Sequence, residues 1–335
     1  MRFIFLIGDL ESPGSAWWRL QKVIDAWRLY SLKRRLLLRF MRMEEVFGGT
    51  LNLMRHCAVA RNCGADAVLA TARGRNTYGD RAAANLPFIR WQDRRDDDIC
   101  IVPDLFTALI DQVTGPVIAY IQSPNFINAD FDYRNERVMI WTDSPFMQEK
   151  CEAVYSGKEI HIVPNIIDDR QFPFIPQSER EPGLIFAFPR KGPEYIDETE
   201  RLYREAGGSY WKIERISGLT IHELAQAFRR PQVFLASAEV EGCALPPQES
   251  MASGIVVVGK TAKGANFCME DRETAMIAET PADAVRCLIE LENPELRDLL
   301  TQNAHRAIKH YFPSQEPTAF WRRTIQRYSD RLQLV

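Results

Sequence analysis

The sequence predicts an α/β chain of two doubly wound, Rossmann-like domains. Three observations carry this. Short apolar runs alternate with helical patterns through both halves. The alternation restarts at Leu184, after an irregular polar stretch that ends near Phe172. A length of 335 residues exceeds what most single cores accommodate.

The elements follow in order. Arg2–Ile7 could form a strand. Trp17, Leu20, Ile24 and Trp27 then recur at helical spacing, ahead of Lys33-Arg34-Arg35. Two readings stay open for this helix: an aromatic stripe packed on the domain, or an interfacial helix at lipid headgroups through residues 17–35. From Arg35 the pattern becomes regular. Leu36–Phe40 reads as a strand, Gly48-Gly49 as a loop, and Thr50 as the cap of a helix ending near Gly64. Ala67–Thr71, Ile99–Val102, Val117–Ile121 and Val138–Trp141 read as strands, and Ser144-Pro145 opens a helix. The second half offers strands at Leu184–Phe188, Lys212–Ile216, Val233–Ser237 and Ile255–Val258. Helices follow from a Thr220/Glu223 capping box, from Pro281 and Pro294, and over about Thr318–Leu334. The implied domains are an extension over 1–34, a first domain over 35–170, a second over 171–317 and a final helix over 318–335.

Composition excludes several classes. A net charge of −3 argues against an electrostatic nucleic-acid binder. Seven cysteines without C-x-x-C spacing suggest reduced thiols in a cytosolic protein. The N-terminal apolar run is short and soon acidic, which makes a poor signal peptide. No stretch approaches the ~20 apolar residues of a membrane span. Walker, His-Glu-x-x-His and Gly-x-Ser-x-Gly motifs are absent, and the five histidines show no metal spacing.

The chemistry concentrates in Ala238–Gly254, between two apolar strands. Glu241 lies in the loop, and Glu249 sits on a helix entered at Pro246-Pro247 and closed by Gly254. Strand, loop, helix and strand form the unit that presents ligand groups at the carboxyl edge of a parallel sheet. Two ionised carboxylates there suit a hydroxyl-rich ligand. Arg190-Lys191 ends another strand and suits a diphosphate. Gly48-Gly49 allows a phosphate near a helix N-terminus, with Gly8 and Gly14 as a competing loop. Gly264 lies in a further strand-end loop, and His56 on the helix after Gly48-Gly49 could approach a ligand. Asp130-Phe-Asp132 matches a metal–nucleotide motif only in its three residues, and Asp96-Asp97-Asp98 reads as a solvated turn.

Glu241-Gly-Cys-Ala-Leu-Pro-Pro-Gln-Glu249-Ser-Met-Ala-Ser-Gly254 resembles the double-glutamate signature of the retaining glycosyltransferases of family four, group one. Pro164-Asn-Ile-Ile-Asp168 with Phe172 is similar to the family's domain-junction motif. Gly48-Gly49 resembles its glycine pair, and Arg190-Lys191-Gly192 its Arg…Lys-Gly. The resemblance covers about residues 35–330. It implies the GT-B fold, with two domains facing across a cleft, and transfer from a nucleotide diphosphate-sugar donor with retention. It assigns Glu241 to the donor sugar and its anomeric carbon, Glu249 to the ribose, and Arg190 and Lys191 to the diphosphate. Gly48, Gly49 and the segment Cys243, Ala244 and Leu245 would close around the donor. No metal and no cofactor are expected. The acceptor, a saccharide, a lipid-linked group or a small molecule, is not specified.

Departures from the family are local. Cys243-Ala244 replaces Phe-Gly, and Ser250 replaces Ala. Where many members have a histidine after a middle strand, this chain has Tyr120-Ile-Gln122-Ser-Pro-Asn125. Gln122 and Asn125 would orient an acceptor hydroxyl without acting as a base. Alternatives on the same plan are a nucleotide-sugar epimerase, a phosphorylase, or a non-catalytic nucleotide-sugar binder.

Overall fold

The computed structural model describes residues 1–44, 46–79 and 85–333. The chain divides into two compact units, one of residues 1–166 with 315–335 and the other of residues 167–314.

The first unit holds β1 (Arg2–Leu6), β2 (Asp9–Leu10), α1 (Ala16–Ala26), α2 (Tyr30–Phe40), β3 (Arg42–Met43), α3 (Gly48–Asn62), β4 (Asp66–Thr71), β5 (Phe88–Arg90), β6 (Ile99–Pro103), β7 (Val117–Ile121), β8 (Val138–Thr142), α4 (Pro145–Val154) and β9 (Ile160–Ile162). Seven strands pair in parallel in the order β5-β4-β1-β6-β7-β8-β9. β2 and β3 form a separate parallel pair.

Residues 1–34 are therefore not an extension. β1 is an inner strand, with Phe3 opposite Ala67 on one side and Ile99 on the other. Its side chains alternate between two cores, Ile4 and Leu6 in one, Phe3 and Phe5 in the other. A strand buried on both faces must be apolar throughout, as this one is. The strand expected over Arg2–Ile7 is present, but its partners, Asp66–Ala70 and Ile99–Ile101, lie far along the chain, so no local signal joins it to the domain. The pairing also orders Asp98, which is not a solvated turn residue. It is 1% exposed and accepts from Arg2 Nε at 3.0 Å and Nη2 at 2.7 Å. Leu36–Phe40, expected as a strand, lies in α2. Three consecutive leucines have no strand alternation, leucine favours helix, and Leu37 and Leu38 turn to the core together.

The chain's last helix, Glu316–Gln333, packs in the first unit. Its Trp321 is fully buried, with ring centroids 5.3 Å from Phe3 and 5.5 Å from Phe5. Trp321 Nε1 donates to His56 Nδ1 at 2.9 Å, and His56 Nε2 lies 2.9 Å from the Pro164 carbonyl. This fixes His56 as a neutral tautomer that donates from Nε2. Burial lowers its pKa from 6.5 to about 4. Between those values the unfolded chain binds more protons than the folded one, so stability is full above pH 6.5 and is lost as pH falls toward 4. The loss totals on the order of 3 kcal/mol. Denaturant titrations across this range should show it, and His56→Gln, which keeps one donor and one acceptor without charging, should flatten the slope. An unchanged slope would remove this role for His56.

The second unit holds β10 (Leu184–Ala187), α5 (Pro193–Glu205), β11 (Lys212–Arg215), α6 (Ile221–Ala227), β12 (Val233–Ala236), α7 (Leu245–Ser253), β13 (Val256–Gly259), β14 (Met276–Ile277), α8 (Pro281–Glu290) and α9 (Pro294–Tyr311). Five parallel strands run in the order β11-β10-β12-β13-β14. Local signals set its helix ends. Thr220 and Glu223 close a capping box on α6, Thr280 and Asp283 one on α8, and Gly254 ends α7 at φ +85°. The last helix is named α10 below.

Candidate functional site

In the second unit the chain leaves β10 to one side for β11, then returns to the other side for β12. The order reverses between β10 and β12, and ligands of open parallel sheets collect at the carboxyl ends of such strands. The loop after β10 carries Arg190 and Lys191, and the loop after β12 carries Glu241. The two loops touch. Gly192 has φ +78°, and a Cβ there would lie 2.4 Å from the Ser237 carbonyl oxygen. Glycine thus lets the first loop press against the end of β12, where Ser237 Oγ donates to the Lys191 carbonyl at 2.6 Å. The approach brings Lys191 Nζ to 2.5 Å from Glu241 Oε2. Arg190, beside them, is exposed.

The segment after Glu241 turns inward. Cys243, Ala244 and Leu245 are 8%, 9% and 5% exposed at the entry to α7, and Gln248 Nε2 lies 3.0 Å from Cys243 Sγ. Glu249 follows in α7 and is 2% exposed, so its carboxylate is held largely out of water. Gly264, at φ +100°, belongs to the loop after β13 on the same carboxyl edge. In that region Lys260 Nζ meets Glu239 Oε2 at 2.5 Å. The structure therefore gathers Arg190, Lys191, Glu241, Cys243, Ala244, Leu245, Glu249 and Gly264 around one edge of one sheet.

Gly48, Gly49, Gln122, Asn125 and His56 lie in the first unit. Its sheet also reverses order, between β1 and β6. Gly48 and Gly49 are the first residues of α3, whose cap is Phe47; they are not a loop before a Thr50 cap. Gly49 lies close under Gln122: a Cβ there would sit 2.6 Å from Gln122 Oε1, and the Gln122 side chain would have to swing aside to admit one. Gln122 Nε2 donates to the Gly49 carbonyl at 3.4 Å. Asn125 is exposed on a short 3-10 turn after β7. His56 does not join them. Its ring is fully buried and both nitrogens are engaged within the core, which rules out the acceptor-side role considered for it.

Asp104 is the site-edge residue that sequence reasoning missed. It follows β6 directly and is 6% exposed; its Oδ1 accepts the Leu105 amide at 2.9 Å and its Oδ2 the Gln122 amide at 3.0 Å. Burial raises its pKa to about 6 against these lowering bonds. Asp104 thus anchors the backbone that presents Gln122. The available signal was a lone aspartate at the carboxyl end of an apolar strand. Asp130 instead pairs with Arg34 and accepts from Thr107, while Phe131 between the two aspartates is buried. Among the described residues no cluster of three metal-ligating side chains forms. All seven cysteines are free thiols.

No protein-family model matches the chain. An alpha-1,6-glucosyltransferase of Actinobacillus pleuropneumoniae serotype 7 is 24% identical over 230 residues, 63% of this chain and 68% of that protein. Sucrose-phosphate synthase of Thermosynechococcus elongatus superposes with a TM-score of 0.65 at 13% identity, covering 100% of both chains. The Anabaena HepE protein, solved with UDP-glucose, superposes with a TM-score of 0.58 at 11% identity, covering 98% of this chain and 100% of that one. With two parallel, doubly wound sheets and these neighbours, the chain has the GT-B fold of glycosyltransferases.

Proposed function

We propose that the chain is a glycosyltransferase that moves a sugar from a nucleoside diphosphate-sugar to an acceptor with retention of anomeric configuration. The observation that carries this reading is the meeting of Lys191 and Glu241 at the switch point of the second sheet, with the buried Glu249 one helix turn beyond the loop. A cation for a diphosphate, a carboxylate for sugar hydroxyls and a desolvated carboxylate for a ribose are the three groups such a donor needs. The sequence likeness to a glucosyltransferase supports the same reading.

On this proposal Arg190 and Lys191 take the charge of the departing diphosphate, aided by the N-terminus of α7. Glu241 holds hydroxyls of the donor sugar and faces the positive charge that develops at the anomeric carbon. Cys243, Ala244 and Leu245 shape the sugar site, and the Gly264 loop borders it. Gly48 and Gly49 serve the phosphates, and Gln122 and Asn125 orient the acceptor hydroxyl. Side chains and a helix terminus carry the leaving-group charge, so turnover is expected to survive EDTA. The enzyme would work in the cytosol, with residues 17–35 in peripheral contact with a membrane.

The direct test is UDP-glucose as donor, with UDP release and product stereochemistry as readouts. An epimerised sugar without an acceptor, or dependence on inorganic phosphate, would replace the reading by an epimerase or phosphorylase. Glu249→Ala should weaken UDP-glucose by about ten- to a hundredfold, the value of a charged hydrogen bond to hydroxyl groups. Glu241→Gln should keep UDP affinity and lose turnover. If no member of a panel of uridine, adenosine, guanosine and thymidine diphosphate-sugars shifts the melting temperature, the assigned donor site is wrong, since a ligand at 100 times its Kd stabilises by ~2.7 kcal/mol.

A further inference from the structure

α1 and α2 form a hairpin within the connection from β1 to α3. One side of it is anchored. Gln21 and Ile24 are 2% exposed, Leu37 and Leu38 pack on the core of the first unit, and the rings of Trp17 and Phe40 meet at 5.3 Å. Beside that anchored side runs an apolar strip that faces solvent. Leu20 and Val23 on α1 and Trp27 at its C-terminal cap follow one another at helical spacing, and Trp27 is 74% exposed. Leu29, Tyr30 and Leu32 continue the strip through the turn, with Tyr30 63% exposed. The tip is ordered. The Arg28 amide donates to Asp25 and the Leu29 amide to Ile24, each at 3.0 Å, with Arg28 at φ +54°. That is a closed helix stop, not a frayed end.

The charge around this strip is one-sided. Residues 16–42 carry eight Lys and Arg against one acid, Asp25, whereas the whole chain carries 42 Lys and Arg against 45 Asp and Glu. Asp25 is itself held by Lys33 at 2.9 Å. Arg19, Arg28, Arg35 and Arg39 are exposed beside the apolar residues. A second copy of the hairpin would set cation against cation. An anionic lipid surface complements both the charge and the apolar strip. Among the described residues no helix is long and apolar enough to cross a membrane, so the contact would be peripheral.

We propose that the α1–α2 hairpin is a docking surface for an anionic lipid bilayer, with Trp27, Leu29 and Tyr30 entering the headgroup region and the flanking arginines on its phosphates. The hairpin belongs to the connection that ends at Gly48-Gly49, so docking brings the carboxyl edge of the first sheet to the membrane side of that unit. The docking does not depend on the transfer reaction.

The test is sedimentation of the full chain with phosphatidylcholine vesicles, with and without about 30% phosphatidylglycerol. The intact protein should sediment with the anionic vesicles, stay in solution with pure phosphatidylcholine, and be released by high salt. Trp27→Ser with Tyr30→Ser, and separately Arg28→Glu with Arg35→Glu, should each lower the bound fraction about tenfold or more. Both variants should keep the melting temperature and the affinity for UDP, because neither changes a residue assigned to the donor. No sedimentation of the intact chain at low salt would overturn the proposal. So would variants that bind like the intact chain, or a dimer in light scattering that the variants dissolve.

Discussion

Replacing Arg190 and Lys191 together by alanine is expected to weaken UDP and UDP-glucose by about a hundred- to a thousandfold. Each charge-assisted hydrogen bond to a phosphate is worth about 1.5–3 kcal/mol, and two cations are lost. A second effect adds to this. Lys191 neutralises Glu241 at 2.5 Å, so its removal leaves a carboxylate facing the space assigned to the diphosphate. The same ion pair contributes little to folding. Its side chains are 39% and 21% exposed, and pairs of this kind give at most about 1 kcal/mol. The melting temperature should therefore barely move while calorimetric affinity collapses. An affinity within threefold of the parent would remove the cationic pair from the donor site. The weakening should also diminish at high salt if charge is the cause.

Trp321→Ala should destabilise the first unit by about 4 kcal/mol, the usual cost of truncating a buried tryptophan. Trp321 is fully buried and meets Phe3, Phe5, Trp141 and Phe320 at ring separations of 5.3–5.9 Å. The substitution opens a cavity among these rings and leaves His56 Nδ1 without its donor. For a unit of this size the melting temperature should fall by about 10 °C. A fall of less than about 2 °C would show that α10 does not support the first sheet as described. UDP affinity should be nearly unchanged at temperatures where both units are folded, since the charged residues assigned to the donor, Arg190, Lys191, Glu241 and Glu249, are in the second unit.

The two outcomes test different layers of the molecule. The cationic pair acts through charge at a loop and leaves the packing intact. Trp321 acts through packing and leaves the charged loops intact. A variant that lost both stability and nucleotide binding would point to a linkage that neither argument contains.

Much of the second unit was written locally in the sequence. Its capping boxes at Thr220 and Thr280, the prolines that open α8 and α9, and Gly254 after α7 each act within one helical turn. Two apolar runs around Glu241 and Glu249 sufficed to place a strand, a loop, a helix and a strand, because each signal is short-range. The first unit was less legible, since its decisive partners are distant in sequence. β1 finds β4 and β6 far along the chain, which makes it an inner strand, Arg2 finds Asp98 across 96 residues, and Trp321 finds His56 across 265. His56 looked available on a helix and became a buried neutral link because α10 returns over it. Leu36–Leu38 became helix because only a helix turns Leu37 and Leu38 together onto the core. The sequence alone determined the α/β alternation and the order of the charged motifs, and it nominated the residues of the candidate donor site. Tertiary structure decided which strands lie inside, that Lys191 meets Glu241, and that Trp27 faces solvent. Those outcomes depend on sheet order and on which face each helix has left to bury, and neither is fixed by residues adjacent in the chain.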